Sequence, residues 1–212
     1  MNYDCDVCVI GSGAGGGPVA YTLALAGRSV IVLEKGPWFD ERDFYKDELA
    51  AARRPVYVSD KEKEPHVVEE DNNRGGWQSV KSSESSWNFW NGNCVGGATN
   101  FMSGYFHRLK PMDFRLLSEF GPIEGADITD WPISYEDLEP YYDKVEKVVG
   151  ISGKVINHPF LEPRSSADFP YPPLAENPVA GWIDDACRRM GLNAIPTPRA
   201  ILSGPEAKRG GC

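Results

Sequence analysis

The sequence is short of histidine, cysteine and positive charge. Its 212 residues include three histidines, five cysteines, and 22 lysines plus arginines against 31 aspartates plus glutamates, so its net charge is −9. This acidic balance disfavours nucleic acid or an anionic membrane surface as a partner. No apolar run approaches the roughly 20 residues that a membrane-spanning helix requires. The composition is therefore typical of a globular protein.

The sequence also lacks a signal peptide and a convincing metal-binding cysteine pattern. No signal peptide precedes the first apolar run, so we expect a cytoplasmic protein. The cysteines are scattered, and only Cys5 and Cys8 have a redox-like or zinc-like spacing. Residues three apart on a strand point to opposite faces, which fits neither a disulfide nor a shared metal. We expect no metal site there and interpret both cysteines as small buried hydrophobic residues.

A strand–helix–strand pattern is present between residues 7 and 36. An apolar run leads into a glycine triad at Gly11, Gly13 and Gly16, followed by a small-residue helix and a second apolar run. In this pattern the first glycine permits a tight turn, the second lets a pyrophosphate approach the backbone, and the third lets helix and strand pack closely. The helix N-terminus then offers free N–H groups to phosphates.

An acidic residue completes the pattern. Glu34 follows the second apolar run, where a carboxylate accepts hydrogen bonds from an adenosine ribose. Its charge disfavours a ribose 2′-phosphate and hence NADP. The pattern alone does not separate FAD from NAD. A tight turn without a ligand is the structural alternative.

The remaining sequence gives fewer patterns of this kind. A doubly wound sheet needs more than two strands, and no second strand–helix–strand alternation follows residue 36. We therefore expect an incomplete parallel sheet in an α/β, Rossmann-like domain, and a chain that is the N-terminal portion of a longer protein. Residues 59–86 are polar and predict a solvated loop excursion.

Two helices are marked by their capping residues. Ser134 and Asp137 form a capping-box pattern before a helix that ends at Gly150. A second helix begins after Asn177 and ends at Gly191. We expect the apolar side of the first of these helices to lie in the core, and the second also has an apolar side. We place a domain boundary near residue 150, which separates a cofactor-binding domain (1–150) from a linker and the start of a substrate-side region (151–212).

A second glycine cluster, Gly96 and Gly97, is followed by small and polar residues. Bare backbone of this kind lets a flat ring or a pyrophosphate lie against it. Asparagine and threonine side chains nearby offer hydrogen bonds: Asn91, Asn93, Thr99 and Asn100. A tight turn packed by aromatic residues is the alternative interpretation.

Three segments together resemble a known family, and they cover most of the chain to residue 150. They are the opening motif through Glu34-Lys-Gly36, the segment Val95-Gly-Gly-Ala-Thr99, and Arg108 with Pro111-x-Asp-Phe114 and Asp130-Trp-Pro-Ile-Ser-Tyr135. They resemble the glucose–methanol–choline (GMC) oxidoreductases, flavoproteins that oxidise alcohols. The third segment resembles the branch that holds gluconate, sorbitol and bacterial glucose dehydrogenases and pyranose oxidase.

The resemblance implies an FAD-dependent oxidoreductase that removes hydride from the CH–OH group of an alcohol, sugar or polyol. In this family the catalytic base is a histidine near the C-terminus of a much longer chain, and no position here matches it, so we name no catalytic residue. Relatives in the branch have a His-Trp pair after the second glycine motif, and in pyranose oxidase that histidine can hold the flavin covalently. Phe101 and Met102 stand there instead, which implies non-covalent FAD.

These patterns predict one set of cofactor-binding residues: Gly11, Ser12, Gly13, Ala14, Gly15, Gly16, Glu34, Lys35, Asn91, Gly96, Gly97, Thr99 and Asn100. The alternatives are an NAD-dependent dehydrogenase and a non-catalytic fragment that binds a dinucleotide or nothing. The expected partners are a small alcohol or sugar and an unidentified electron acceptor. The sequence does not decide whether Cys212 begins an iron–sulfur site, and it favours packing over chemistry for His107.

Overall fold

The chain opens with the strand–helix–strand unit that its sequence predicts. The computed structural model describes residues 4–43, 60–85, 92–101 and 103–203. Strand β1 (Val7–Ile10) leads into helix α1 (Gly16–Leu25), and strand β2 (Val30–Leu33) returns parallel to β1. Val7 lies opposite Val30, and Ile10 lies opposite Leu33. The predicted α/β class is confirmed.

The faces of this small sheet are largely uncovered within the described residues. Val9 is buried, but Ile10 is 87% exposed and Leu33 is 54% exposed. Parallel strands are normally covered by helices on both faces, and this unit supplies only α1. Cys8 is exposed for the same reason and Cys5 is half-buried, so the prediction that both are buried was wrong.

An antiparallel hairpin lies inside the polar excursion that the sequence predicted as a loop. Strands β3 (Val67–Asp71) and β4 (Trp77–Lys81) pair with Asp71 opposite Trp77. The turn between them includes Asn73 at φ 57° and Gly75 at φ 80°. The side-chain oxygen of Asn72 accepts the N–H groups of Arg74 and Gly76, which stabilises the turn.

The chain divides into two compact units, residues 1–102 and 103–212. The boundary predicted near residue 150 lies inside the second unit, and the assignment of 1–150 to cofactor binding stays a prediction. In the second unit a 3₁₀ turn at Pro111–Phe114 precedes helices α2 (Leu116–Phe120), α3 (Tyr135–Val149) and α4 (Pro178–Met190).

The helix ends agree with the capping residues in the sequence. At α3 the Ser134 hydroxyl accepts the Asp137 N–H and the Asp137 carboxylate accepts the Ser134 N–H, which is a capping box. Gly150 ends α3 in the left-handed region. At α4 the Asn177 side chain accepts the Ala180 N–H, and Gly191 ends the helix in the left-handed region.

Charged side chains and Tyr135 form a buried cluster in the second unit, which also buries Phe114 and Ile151. Arg108 donates Nε–H and Nη2–H to the two carboxylate oxygens of Glu146 at 2.8 and 2.9 Å. Its Nη1 bonds Glu139 at 2.9 Å and the Tyr135 hydroxyl at 3.1 Å. Arg164 Nη2 reaches Glu146 at 2.5 Å. We call the five residues joined by these contacts the arginine core.

The arginine core is buried, so its charges depend on one another. Arg108 is 6% exposed and Glu146 is 2% exposed. Burial disfavours the guanidinium charge, but hydrogen bonds to Glu146, Tyr135 and Glu139 hold the pKa of Arg108 above its ordinary value. Burial also raises the pKa of Tyr135, whose hydroxyl donates to the Pro163 carbonyl at 2.6 Å.

The apolar sides of the two long helices are largely exposed, which corrects the expectation that the apolar side of α3 lies in the core. On α3, Tyr141 is 64% exposed and Val148 is 61% exposed; on α4, Trp182 and Met190 are each 71% exposed. The described part of the chain supplies too few elements to cover these faces. Within that part, no helix combines the length and apolar character needed to cross a bilayer.

Candidate functional site

The opening turn is shaped by two of its glycines. Gly11 adopts φ +89°, and its N–H donates to the Leu33 carbonyl at 2.7 Å, which fixes the turn against β2. A Cβ on Gly16 would overlap the Gly11 carbonyl oxygen and lie 3.0 Å from Val9 Cγ1. Only glycine therefore lets α1 start this close to β1, as the sequence pattern requires.

Helix α1 begins without a side-chain cap. Gly15 occupies the N-cap position and provides no capping hydrogen bond, and no acidic side chain lies in the first turn. The first N–H groups of a helix have no partner inside the helix and carry the positive end of its dipole. The start of α1 is therefore suited to bind a phosphate.

Glu34 is held by both of its carboxylate oxygens. Oε2 accepts the N–H of Ser12 at 2.9 Å and its hydroxyl at 2.7 Å, while Oε1 accepts the Gly36 N–H at 2.8 Å. A carboxylate has about four acceptor positions. Ser12 and Gly36 use three of them, and a hydrogen bond from the Lys35 backbone also contributes. Glu34 is thus held in one orientation by backbone and hydroxyl donors.

The same hydrogen bonds keep Glu34 ionised. The Gly36 N–H and then the Ser12 hydroxyl and N–H lower the pKa of Glu34 from 4.5 to about 2. The carboxylate carries its negative charge throughout the neutral range. That charge would repel a ribose 2′-phosphate and accept a ribose hydroxyl.

The Ser12 hydroxyl also joins the two glycine motifs. While it donates to Glu34, it accepts the N–H of Gly96, 84 residues along the chain, at 2.9 Å. The backbones approach closely here, since a Cβ on Gly97 would lie 3.1 Å from Gly13 Cα. A Cβ on Gly36 would overlap the backbone nitrogen of Cys94. We call this bare-backbone assembly the glycine surface; it comprises residues 11–16, 34–36 and 96–97.

The polar residues after the second glycine cluster bond mainly to their own turn. Thr99 donates its hydroxyl to the Gly96 carbonyl, and Asn100 donates to the Val95 carbonyl at 2.7 Å. Gly96 and Gly97 adopt φ +87° and +65°, and a 3₁₀ turn runs from Gly97 to Phe101. These contacts order the turn and leave the cofactor contacts predicted for both side chains untested.

The structure locates all but one of the predicted site residues. Ala14 and Gly15 lie in the turn before α1, and Lys35 forms an ion pair with Glu64 at 2.6 Å. Lys35 therefore anchors the start of the polar excursion instead of standing free. Asn91 lies outside the described residues, as does Cys212. Among the described residues, no group of three or more histidine, cysteine, aspartate or glutamate side chains is arranged to hold a metal ion.

Two residues that contribute to this region, Gly36 and Glu64, were not among the predicted site residues. Gly36 supplies the main hydrogen bond to Glu34, and its position directly after the acidic residue was the available signal. Glu64 accepts hydrogen bonds from Lys35 and, at 2.9 Å, from Asn93. No local pattern marks Glu64, because its partners are 29 residues away in either direction. His107, which is exposed, stacks on Tyr105 in the second unit.

Comparisons with known proteins agree with this geometry. Residues 6–41 match the FAD-binding domain family. The chain is 35% identical to 2-methyl-1,2-propanediol dehydrogenase from Mycolicibacterium austroafricanum, over 96% of this chain and 34% of that protein. It is 30% identical to the gluconate 2-dehydrogenase flavoprotein of Pantoea cypripedii, over 94% of this chain and 36% of that protein. The chain thus spans about a third of these relatives' length.

A solved structure supports the fold. The crystal structure of pyridoxine 4-oxidase from Mesorbium loti superposes with a TM-score of 0.55 at 17% identity, covering 94% of this chain and 37% of that one. At this identity the likeness concerns the fold. The match of residues 6–41 confirms the prediction of FAD as the dinucleotide.

Proposed function

We propose that this chain forms the FAD-anchoring part of a GMC-type sugar or alcohol oxidoreductase, since it matches about a third of the length of relatives that are named as alcohol and sugar-acid dehydrogenases. The observation that carries the proposal is the Ser12 hydroxyl, which bonds Glu34 and the Gly96 N–H at once. This bond brings the two glycine motifs into one surface. An NAD-type site would use the first motif and leave the second without a role.

The residues of the glycine surface fit two parts of an ADP group, its ribose and its pyrophosphate. The uncapped start of α1 would hold the pyrophosphate through backbone N–H groups. The oriented Glu34 carboxylate would accept a ribose hydroxyl. Gly13 and Gly97 leave no side chain between a pyrophosphate and the backbone. The binding is non-covalent in this proposal.

The proposed reaction is oxidation of a CH–OH group. Bound FAD supplies the hydride acceptor. The described residues contribute binding and orientation, and none of them is assigned a catalytic role. The substrate, an alcohol, sugar or polyol, and its electron acceptor are proposed from the family. A cytoplasmic location is proposed from the sequence.

The test compares nucleotide binding by the full-length protein with that of one variant and a matched control. We expect the wild type to purify with flavin absorbance and to release FAD when denatured. Glu34→Gln should weaken FAD binding by about tenfold, because a hydrogen bond to a charged group is lost. Glu62→Gln changes an exposed carboxylate and should leave FAD affinity unchanged.

Two results would overturn the proposal. One is a colourless protein that retains NAD and releases no flavin. The other is equal FAD affinity in wild type and Glu34→Gln, which would remove the carboxylate from the site. Turnover of sugars or alcohols by the 212-residue chain alone, with a dye acceptor, would show that catalytic groups are present within it.

A further inference from the structure

A small cavity in the second unit has no role in the function proposed above. Its volume is about 180 Å³, and the segments around Lys154, His158, Arg164 and Thr197 line it together with Lys110. Drug-sized ligands occupy cavities of roughly 300–1,000 Å³. This cavity therefore suits a single small group and excludes a nucleotide.

Among the charged residues of the lining, cations outnumber carboxylates. Lys110, Lys154 and Arg164 face one carboxylate, Glu162. Burial disfavours ionisation of Glu162, but the Lys110 ammonium, 2.7 Å away, holds the pKa of Glu162 below its ordinary value. Lys154 forms no ion pair with any described residue, so its charge is not neutralised locally.

Histidine adds a neutral donor. His158 Nδ1 accepts the Phe160 N–H at 3.2 Å. A ring nitrogen that accepts is unprotonated, so in the neutral ring Nε2 carries the proton and remains a donor. His107 also lines the cavity. The lining thus combines cationic and neutral donors.

Arg164 is the lining residue that most directly indicates a bound anion. Its side chain is 4% exposed and Nη2 bonds Glu146. Nε and Nη1 have no hydrogen-bond partner, although Nη1 lies 3.7 Å from Glu162 Oε1, an ion-pair distance. Its guanidinium stacks over the Phe169 ring at 4.2 Å, and Phe169 lines the same cavity. Buried guanidinium N–H groups without partners are rare and indicate an unseen water or ion. Guanidinium groups bind carboxylate and phosphate oxygens well.

We propose that this cavity binds a small oxyanion, a group the size of phosphate or carboxylate, through Arg164, Lys154 and Lys110. The site lies within the second unit, and FAD is not involved. Phosphate and carboxylate share the required chemistry, which is two or more negatively charged oxygens. A separate titration with each distinguishes them.

The experiment is calorimetric titration of the full-length protein with inorganic phosphate and, separately, with acetate at constant ionic strength. We expect saturable binding of one anion per chain. Lys154→Gln should weaken it by about threefold, as for an exposed ion pair. Arg164→Gln should weaken it by about tenfold or more through a buried charged hydrogen bond. Lys144→Gln, an exposed change on α3 away from the cavity, is the matched control.

Each outcome supports or overturns the proposal. Saturable binding that Lys154→Gln weakens and Lys144→Gln does not supports it, even if Arg164→Gln fails to fold. No saturable binding of either anion overturns it and assigns the Arg164 donors to water. Equal weakening by Lys154→Gln and Lys144→Gln also overturns it, since that indicates a general charge effect. Flavin content should be the same in wild type, Lys154→Gln and Lys144→Gln.

Discussion

The glycine surface is built from backbone, whereas the arginine core is built from side chains. In the first, bare Cα atoms at Gly13 and Gly97 approach each other, and one short side chain, Ser12, links the segments. In the second, Arg108 reaches Glu146 across 38 residues through a bidentate pair.

This difference determines which substitutions each region tolerates. The backbone surface fails where an added Cβ would meet another backbone segment, as at Gly16, Gly36 and Gly97. A buried ion network fails when an atom changes its charge, because the partner is left buried and unpaired. The four predictions below test this contrast, from the largest expected effect to the smallest.

Glu146→Gln should have the largest effect. It leaves Arg108 without its bidentate carboxylate and Arg164 without its 2.5 Å partner, both in a buried setting. Breaking a buried pair in this way lowers the free energy of unfolding by about 3–5 kcal/mol. Urea denaturation measures it. Glu136→Gln, an exposed change on the same helix, should unfold with nearly the same free energy as wild type. Equal losses of stability in the two variants would contradict a special role for the buried charges.

Gly16→Ala should be the next most harmful change. The added methyl overlaps the Gly11 carbonyl, and overpacking of this kind lowers the free energy of unfolding by about 1–3 kcal/mol. Flavin content should fall with it. Gly17→Ala is the control, since its Cβ would lie 3.6 Å from the Ser12 carbonyl oxygen, an ordinary contact. There alanine should stabilise α1 by up to about 1 kcal/mol. If both variants have the same stability and flavin content, close packing is not the reason for glycine at position 16.

Ser12→Ala should have a moderate effect. It removes the hydroxyl that donates to Glu34 and accepts from Gly96. We expect a loss of about 1 kcal/mol in the free energy of unfolding and weaker FAD binding. Fluorescence of bound flavin and thermal denaturation measure both. Ser12→Thr keeps the hydroxyl and should recover most of the affinity; failure to do so would show that the hydroxyl is not the linking group.

The smallest effect is the pH dependence of Glu34. Its folded-state pKa, about 2, lies below the ordinary value of 4.5. The ionised carboxylate therefore stabilises the fold above about pH 4.5, and this contribution is lost as the pH falls towards 2. Urea denaturation at pH 7, 5 and 3 should show the gap between wild type and Glu34→Gln narrowing with acidity. A gap that is constant with pH would indicate that charge is not involved.

The same contrast explains what the sequence could predict. A strand–helix–strand unit is built from a continuous piece of chain. Its motif residues Gly11, Gly16 and Glu34 therefore have fixed spacings, and the parallel strands and the turn were predictable. The caps Ser134 and Asn177 are also local and were predicted. Arg108 was singled out only by resemblance, and its partners Glu139, Glu146 and Arg164 have no local signature.

Other features could not be predicted for different physical reasons. The β3–β4 hairpin lies in a stretch whose charges resemble those of a loop, and its pairing depends on the turn at Asn73. The apolar stripes of α3 and α4 have helical periodicity, which predicts the helix and one apolar face. Periodicity does not determine what covers that face, so the prediction that the apolar side of α3 is buried failed.

The Ser12–Gly96 bond has a consequence for how this protein tolerates insertions. Together with the Val95 N–H, which donates to the Pro37 carbonyl at 3.0 Å, it fastens both ends of the stretch between the motifs. Once the ends are fixed, doubling the length of a flexible loop adds only about 0.6 kcal/mol of closure entropy. A peptide or reporter can therefore be inserted at the turn of residues 72–76 without displacing the glycine surface.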